Sequence, residues 1–156
     1  MPSPLKHHLP AVTVTTGEEQ TLALGQALGR ELRPGDVVAL QGEPGSGKSV
    51  LARGIGQALG VREPITSPTF TMIHEYRGMI PFYHIDAYRI SCPEESDGIG
   101  LQEYFDQGGI YGPGVVVVEW PEHVSGLLPP GTLHIRLIKG DPFQPEIRRI
   151  EVNAGD

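Results

Sequence analysis

The feature that most constrains the fold is the segment from Gly42 to Ser49, which reads GEPGSGKS. It matches G-x-x-x-x-G-K-[ST], the phosphate-binding loop or Walker A motif. Glycines let such a loop turn so that successive N–H groups aim at a phosphate chain. Lys48 can reach the β- and γ-phosphates, and the Ser49 hydroxyl can ligate Mg²⁺. The segment therefore predicts a site for a nucleoside triphosphate and Mg²⁺, formed by Glu43, Pro44, Gly45, Ser46, Gly47, Lys48 and Ser49.

The residues around this loop favour the strand–loop–helix arrangement that the motif requires. Before the loop, residues 36–41 form a short apolar run that follows the turn signal Pro34-Gly35. After it, Leu51 and Ile55 recur at helical spacing, and Gly60 is a suitable C-terminal stop. The alternative, a glycine-rich turn with an ordinary surface lysine, is disfavoured by this context.

Apolar patterning elsewhere predicts an α/β fold. Residues 18–31 show one buried stripe of a helix, preceded by a possible capping box at Thr16 to Glu19. Uniform apolarity at Val115 to Val118 is typical of a strand in a covered parallel sheet. We expect a P-loop NTPase-like three-layer sandwich, a mostly parallel sheet with antiparallel strands added. Further strands are predicted at residues 11–15, 72–76, 81–85, 132–138 and 147–152.

Two acidic residues follow predicted strands. Glu119 ends the Val115–Val118 run, which is the expected position of a carboxylate that holds Mg²⁺ near a phosphate-binding loop. Asp86 ends the strand at 81–85, flanked by Tyr88 and Arg89. For Asp86, a catalytic role and a surface ion pair or turn cap are equally compatible with the sequence. A carboxylate that simply leaves the sheet into water is the alternative for Glu119.

The hydroxyl-rich segment from Thr66 to Thr71 also admits two readings. It is either a loop that enters a strand or a segment that orders around a γ-phosphate and Mg²⁺, as nucleotide-switch loops do.

Length and charge limit the function classes. A chain of 156 residues is most simply one domain, here residues 1–156 with a flexible leader at 1–10 and a flexible tail at 153–156. Twelve Lys and Arg against nineteen Asp and Glu give a formal charge of −7, which disfavours tight, unaided binding to nucleic acid and favours a protein partner. Cys92 is the single cysteine, and no apolar run approaches membrane-spanning length. We therefore expect a cytoplasmic protein without membrane contact.

Four segments in this order carry a family resemblance. GEPGSGKS is followed by SPTFT from Ser67, HIDAYR from His84 and VVEWPE from Val117. Together they resemble the TsaE family, also called YjeE, over about residues 12 to 138. The resemblance implies a small bacterial P-loop ATPase needed to make threonylcarbamoyladenosine in tRNA, with ATP and Mg²⁺ as ligands. It also implies action on a TsaB–TsaD heterodimer, with tRNA reached only through these partners.

The same resemblance implies a role for each matching residue. Asp86 faces the γ-phosphate and orients water, Glu119 holds Mg²⁺ with Ser49, and Trp120 packs beside the site. Thr69 belongs to the switch-type segment, and Glu18 contributes to the nucleotide pocket. The expected catalytic residues are thus Asp86, Lys48 and Glu119.

Two other functions fit a phosphate-binding loop. In a small-molecule or nucleoside kinase, Asp86 would accept a proton from a substrate hydroxyl, but no arginine-rich lid is evident between Leu101 and Pro130. A GTP-dependent switch would carry N-K-x-D, and the only asparagine is Asn153, followed by Ala154.

Overall fold

The computed structural model describes residues 10–65, 73–90 and 100–154. Within these ranges, strands and helices alternate for much of the chain. The strands are β1 (Val12–Thr15), β2 (Val37–Gly42), β3 (Ile73–Tyr76), β4 (Phe82–Asp86), β5 (Val115–Glu119), β6 (Leu133–Lys139) and β7 (Arg148–Ala154). The helices are α1 (Glu18–Glu31), α2 (Lys48–Ala58) and α3 (Leu101–Gln107), with a 3₁₀ segment at Pro121–Leu127.

The seven strands form one sheet in the order β1-β7-β6-β2-β5-β4-β3. The four central strands, β6, β2, β5 and β4, pair in parallel. The outer strands β3, β7 and β1 pair antiparallel to their neighbours. This arrangement confirms the predicted α/β fold with a mostly parallel sheet and antiparallel strands added.

The sheet has apolar clusters on both faces. On one face, Val115 and Val117 pack with residues of α1 and α2, including Leu28 and Leu51. On the other face, Val116 and Val118 pack with residues of α3, including Leu101. All five residues of β5 are buried, as the uniform valine run predicted.

Helices α1 and α2 contact each other backbone to backbone. A Cβ atom on Gly54 would overlap the carbonyl oxygen of Leu22 and lie 3.0 Å from Gly25 Cα. A Cβ atom on Gly25 would overlap the carbonyl oxygen of Leu51. Only glycine allows this approach, and it confirms that glycines of α1 permit close packing against a neighbouring element.

Two local expectations differ from the structure. The N-cap of α1 is Gly17 without a side-chain cap, and the Thr16 N–H instead donates to Gln20 Oε1 at 2.8 Å. The capping box is therefore wrong, because the helix begins one residue later than that pattern requires. The expected tail from residue 153 is also wrong at its start, since Asn153 and Ala154 pair with β6. Residues 1–9 of the expected leader lie outside the described residues.

The described helices include none with the length and apolarity needed to cross a bilayer.

Candidate functional site

The phosphate-binding loop has the predicted setting. Strand β2 ends at Gly42 and helix α2 begins at Lys48, so the intervening residues form a tight connection from strand to helix. Gly45 has φ 79° and Gly47 has φ 105°, left-handed values that favour glycine. The loop therefore leads its backbone into the N-terminus of α2, where the helix presents unpaired N–H groups and the positive end of its dipole.

A cavity of about 570 Å³ opens beside this loop. Most of the predicted site residues line it, including residues that are far apart in the sequence. Its walls are formed by Gly17, Glu18, Thr21, Pro44, Gly45, Gly47, Lys48, Ser49, Val50, Asp86, Glu119, Trp120, Glu146 and Arg148.

Among the described residues, two predicted nucleotide-binding residues, Glu43 and Ser46, are not part of those walls. Glu43 lines a neighbouring cavity of about 550 Å³, which shares Pro44 and Trp120 with the first. Ser46 is buried beneath the loop, and its Oγ has no hydrogen-bond partner among the described residues. A role for the Ser46 side chain in binding nucleotide is therefore not supported by its position. Thr69 lies outside the described residues.

Lys48 is held at the floor of the cavity and is only 7% exposed. Its Nζ donates to the Gly42 carbonyl oxygen at 2.6 Å and lies 4.5 Å from the centroid of the Trp120 ring. A buried ammonium group needs such compensation, here from a carbonyl dipole and an aromatic face. The arrangement places a cation where the loop would present a bound phosphate.

Asp86 and Glu119 lie side by side because β4 and β5 are parallel and pair in register at these two positions. Asp86 Oδ1 accepts a hydrogen bond from the Tyr88 N–H at 2.9 Å. Glu119 is 6% exposed, and its Oε2 lies 2.6 Å from His84 Nε2. The end of the sheet therefore brings two carboxylates to the cavity that also contains Ser49.

The oxygen atoms at this edge fit Mg²⁺. Among the described residues, no three His, Cys, Asp or Glu side chains are grouped as a complete metal site. Magnesium ions commonly use one or two protein ligands and take the remainder from water and substrate phosphates. Ser49 and Glu119, which share the cavity wall with Lys48, are suited to that kind of site.

Trp120 adopts an uncommon backbone conformation directly after β5. Its φ of 58° and ψ of 50° are left-handed, the only such values for a non-glycine residue in the described ranges. The indole contacts Tyr88 and His123, with ring centroids 4.9 and 5.9 Å away. The turn places this ring between the two cavities. The family resemblance implied that Trp120 packs beside the site, but its left-handed backbone was not evident from the sequence.

Several cavity residues were missed in the sequence. Arg148 of β7 lines the cavity, and its Nη2 donates to the Gly45 carbonyl oxygen at 3.0 Å. The two residues are 103 positions apart, so no local pattern could have connected them. Thr21 was detectable in principle, because it lies three residues after Glu18 on α1, at a spacing that puts both on one face.

The fold and the loop define an α/β protein of the P-loop class. The crystal structure of Bacillus subtilis YdiB is similar, with a TM-score of 0.76 and 32% sequence identity. That match covers 93% of this chain and 85% of the YdiB chain.

Comparison with protein families identifies the chain more closely. Residues 15–148 match the family model described as threonylcarbamoyl adenosine biosynthesis protein TsaE. A protein from Nostoc sp. PCC 7120 is 42% identical over 125 residues, covering 80% of this chain and 75% of its own. A Treponema pallidum protein is 41% identical over 124 residues, 80% of this chain and 88% of its own. Both relatives are named tRNA threonylcarbamoyladenosine biosynthesis protein TsaE. This chain belongs to the TsaE family.

Proposed function

We propose that the protein is a Mg²⁺-dependent ATPase of the machinery that makes threonylcarbamoyladenosine in tRNA, acting on a TsaB–TsaD complex. The observation that carries the ATPase proposal is the convergence of Lys48, Ser49, Asp86 and Glu119 on one cavity beside the phosphate-binding loop. The pathway follows from membership of the TsaE family and the names of its curated relatives.

The chain's own groups account for binding of the triphosphate. The loop backbone and the N-terminus of α2 offer N–H groups to phosphate oxygens. Lys48 exchanges the Gly42 carbonyl for a phosphate oxygen, which gives its ammonium group a charged acceptor. Ser49 and Glu119 hold Mg²⁺, which when bound neutralises charge on the β- and γ-phosphates.

Asp86 is the residue we assign to the attacking water. Its Oδ1 accepts a hydrogen bond from the Tyr88 N–H. This hydrogen bond fixes the orientation of the carboxylate and leaves Oδ2 to accept a hydrogen bond from water. Orientation of the nucleophile, together with stabilisation of developing charge by Lys48, supplies most of the catalysis in this scheme.

The partner complex supplies the contact with RNA in this proposal. The formal charge of −7 is unfavourable for direct binding to a phosphate backbone. In this proposal the protein uses ATP hydrolysis to act on the TsaB–TsaD complex, and TsaB and TsaD bind the tRNA. We place this activity in the cytoplasm because the relatives' names concern tRNA.

The direct test measures ATP hydrolysis by the chain alone and with purified TsaB and TsaD. We expect Mg²⁺-dependent release of phosphate that increases with the partner complex. Asp86→Asn should lower kcat on the order of 100-fold, with ATP affinity little changed, because it removes a group that orients water. Asp106→Asn, a matched change at an exposed position of α3, should leave the rate unchanged.

Three results would count against this function. The pathway assignment fails if the chain neither binds TsaB–TsaD nor responds to it. Hydrolysis that is unaffected by Asp86→Asn would remove the assigned role of that residue. Stoichiometric phosphorylation of a hydroxyl compound would favour the alternative, a small-molecule or nucleoside kinase.

A further inference from the structure

A buried hydrogen bond connects the two carboxylate-bearing strands just below the cavity. His84 of β4 is 1% exposed and Glu119 of β5 is 6% exposed. His84 Nε2 and Glu119 Oε2 are 2.6 Å apart, a short distance typical of a hydrogen bond to a charged acceptor. A carboxylate buried to this degree is costly unless hydrogen bonds compensate it, so this contact determines where the carboxylate rests.

The geometry of the strands explains why His84 reaches Glu119. In the parallel pair β4–β5, His84 is opposite Val117 and Asp86 is opposite Glu119. Alternate residues of a strand share a face, so His84 and Asp86 lie on the same side of the sheet. The imidazole therefore spans the two-residue offset between its own position and that of Glu119.

The plane of the imidazole is fixed by aromatic packing. His84 stacks on Phe82, with centroids 5.9 Å apart and an interplanar angle of 20°. Phe82 in turn stacks on Tyr76, at 5.6 Å and 23°. A ring held in this way offers its Nε2 in one direction, whereas a flexible donor would have to be ordered at each binding event.

The surroundings of the other ring nitrogen favour one tautomer. His84 Nδ1 is buried and has no hydrogen-bond partner among the described residues. A buried N–H without a partner is costly, and an ionised carboxylate can only accept. The proton therefore resides on Nε2, which donates to Glu119 Oε2 and leaves Oε1 for a cation.

We infer that His84 is a positioning residue that orients the Glu119 carboxylate for Mg²⁺ in the nucleotide cavity. This inference rests on the proposed function, which assigns Glu119 to the metal. Second-sphere donors of this kind orient the ligand, and their removal typically weakens metal binding. His84 touches neither nucleotide nor water in this scheme and acts only through Glu119.

The test compares two substitutions that differ in the donor. His84→Phe keeps an aromatic ring against Phe82 but has no donor, whereas His84→Gln places an amide N–H₂ near the position of Nε2. The probe is Mn²⁺, whose binding to protein saturated with a non-hydrolysable ATP analogue is measured by electron paramagnetic resonance. His134→Phe, at an exposed position of β6, is the matched control.

We expect His84→Phe to weaken Mn²⁺ binding about 10-fold, and His84→Gln to restore most of that loss. Affinity for the analogue without metal should change less than about twofold, because the phosphate-binding loop is intact. Equal Mn²⁺ affinity in wild type and a folded His84→Phe protein would overturn the inference. So would equal weakening by both substitutions, or a parallel loss of metal-free analogue binding, since these indicate a structural role.

A second measurement covers the case in which His84→Phe does not fold. In ¹⁵N-histidine-labelled wild-type protein, His84 should give a slowly exchanging Nε2–H signal that is missing from His84→Gln. A Nδ1–H tautomer at His84 would overturn the inference. Failure of the proposed function has a different signature, since the wild-type chain would then show no metal-dependent binding of the ATP analogue.

Discussion

The two faces of the sheet are built from the same strands but carry different chemistry. On β4, Phe82, His84 and Asp86 alternate with Tyr83 and Ile85. The first set shares the face covered by α1 and α2, where Phe82 joins their apolar cluster, and the second set packs with α3. Strand β4 thus places its histidine and its carboxylate on one face, with the carboxylate at the carboxyl end of the strand. The polar residues of the site therefore continue, on the same face of β4, from the apolar residues of the core.

The helices on the two faces are also packed differently. On the face with the cavity, α1 and α2 come into direct backbone contact at Gly25 and Gly54. On the opposite face, α3 contacts the sheet through side chains, including an edge contact of Tyr83 with Tyr104 at 5.5 Å. Substitutions should therefore affect catalysis and packing on the first face, and stability alone on the second.

The largest effect should come from removing the charge on the cavity face. Lys48→Ala should lower kcat/KM for ATP by at least about 100-fold, because charge developing on the phosphate would lose its cation. Steady-state phosphate release measures this loss. Arg77→Ala, which removes an exposed charge after β3, should leave the rate as in wild type. Comparable losses in both variants would show that overall charge, and not the position of Lys48, is responsible.

A large loss of stability should follow from a methyl group between α1 and α2. Gly54→Ala should lower the free energy of unfolding by about 2 kcal/mol, since overpacking outweighs the gain in helix propensity. Urea denaturation provides the measurement. The matched change Gly126→Ala, where a Cβ would meet no atom within 4 Å, should stay within about 0.5 kcal/mol of wild type. If Gly54→Ala is equally harmless, the contact between the helices can adapt.

A smaller loss of stability should arise on the opposite face. The Tyr83 hydroxyl donates to the Gly112 carbonyl at 2.6 Å and accepts from the Tyr111 N–H at 3.2 Å. Tyr83→Phe should therefore cost about 1 kcal/mol of unfolding free energy. Its ATPase rate per folded molecule should equal that of wild type, and a reduced rate would contradict the separation of the two faces. Tyr111→Phe, at an exposed ring, is the control for loss of a hydroxyl.

The smallest effect is confined to alkaline pH. Burial raises the pKa of Tyr83 above 10.0, and burial together with Glu75 raises the pKa of Tyr104 in the same direction. Above pH 10, the unfolded chain loses these protons before the folded protein does, so stability falls as pH rises. Below that pH the contribution is fully present. Urea midpoints across this range should fall less steeply in a Tyr83→Phe/Tyr104→Phe variant, and an unchanged slope would assign the loss to other groups.

The sequence was informative wherever local pattern decides the structure. Four consecutive valines predicted the buried strand β5, and the phosphate-binding loop predicted the strand and helix on either side of it. Asp86 and Glu119 were found as candidates because each follows such a strand. Their adjacency, however, required the pairing of β4 with β5, which no local pattern gives.

What was missed depends on contacts across the chain or on backbone conformation. The hydrogen bond from His84 to Glu119 exists only in this strand register. Arg148 reaches Gly45 because β7 lies two strands from β2. The extension of β7 to Ala154 follows from pairing with β6 and could not be read from polar residues near the terminus.

The turn at Trp120 gives the molecule an intrinsic optical probe. Trp120 is the single tryptophan of the chain, and its indole lies against the ammonium group of Lys48 at the wall of the nucleotide cavity. A ligand that moves the Lys48 ammonium group away from the indole changes the polarity around the ring. The emission maximum and the quantum yield of its fluorescence change as a result. Every photon of tryptophan emission therefore originates at the site, and occupancy can be followed in solution without attaching a dye.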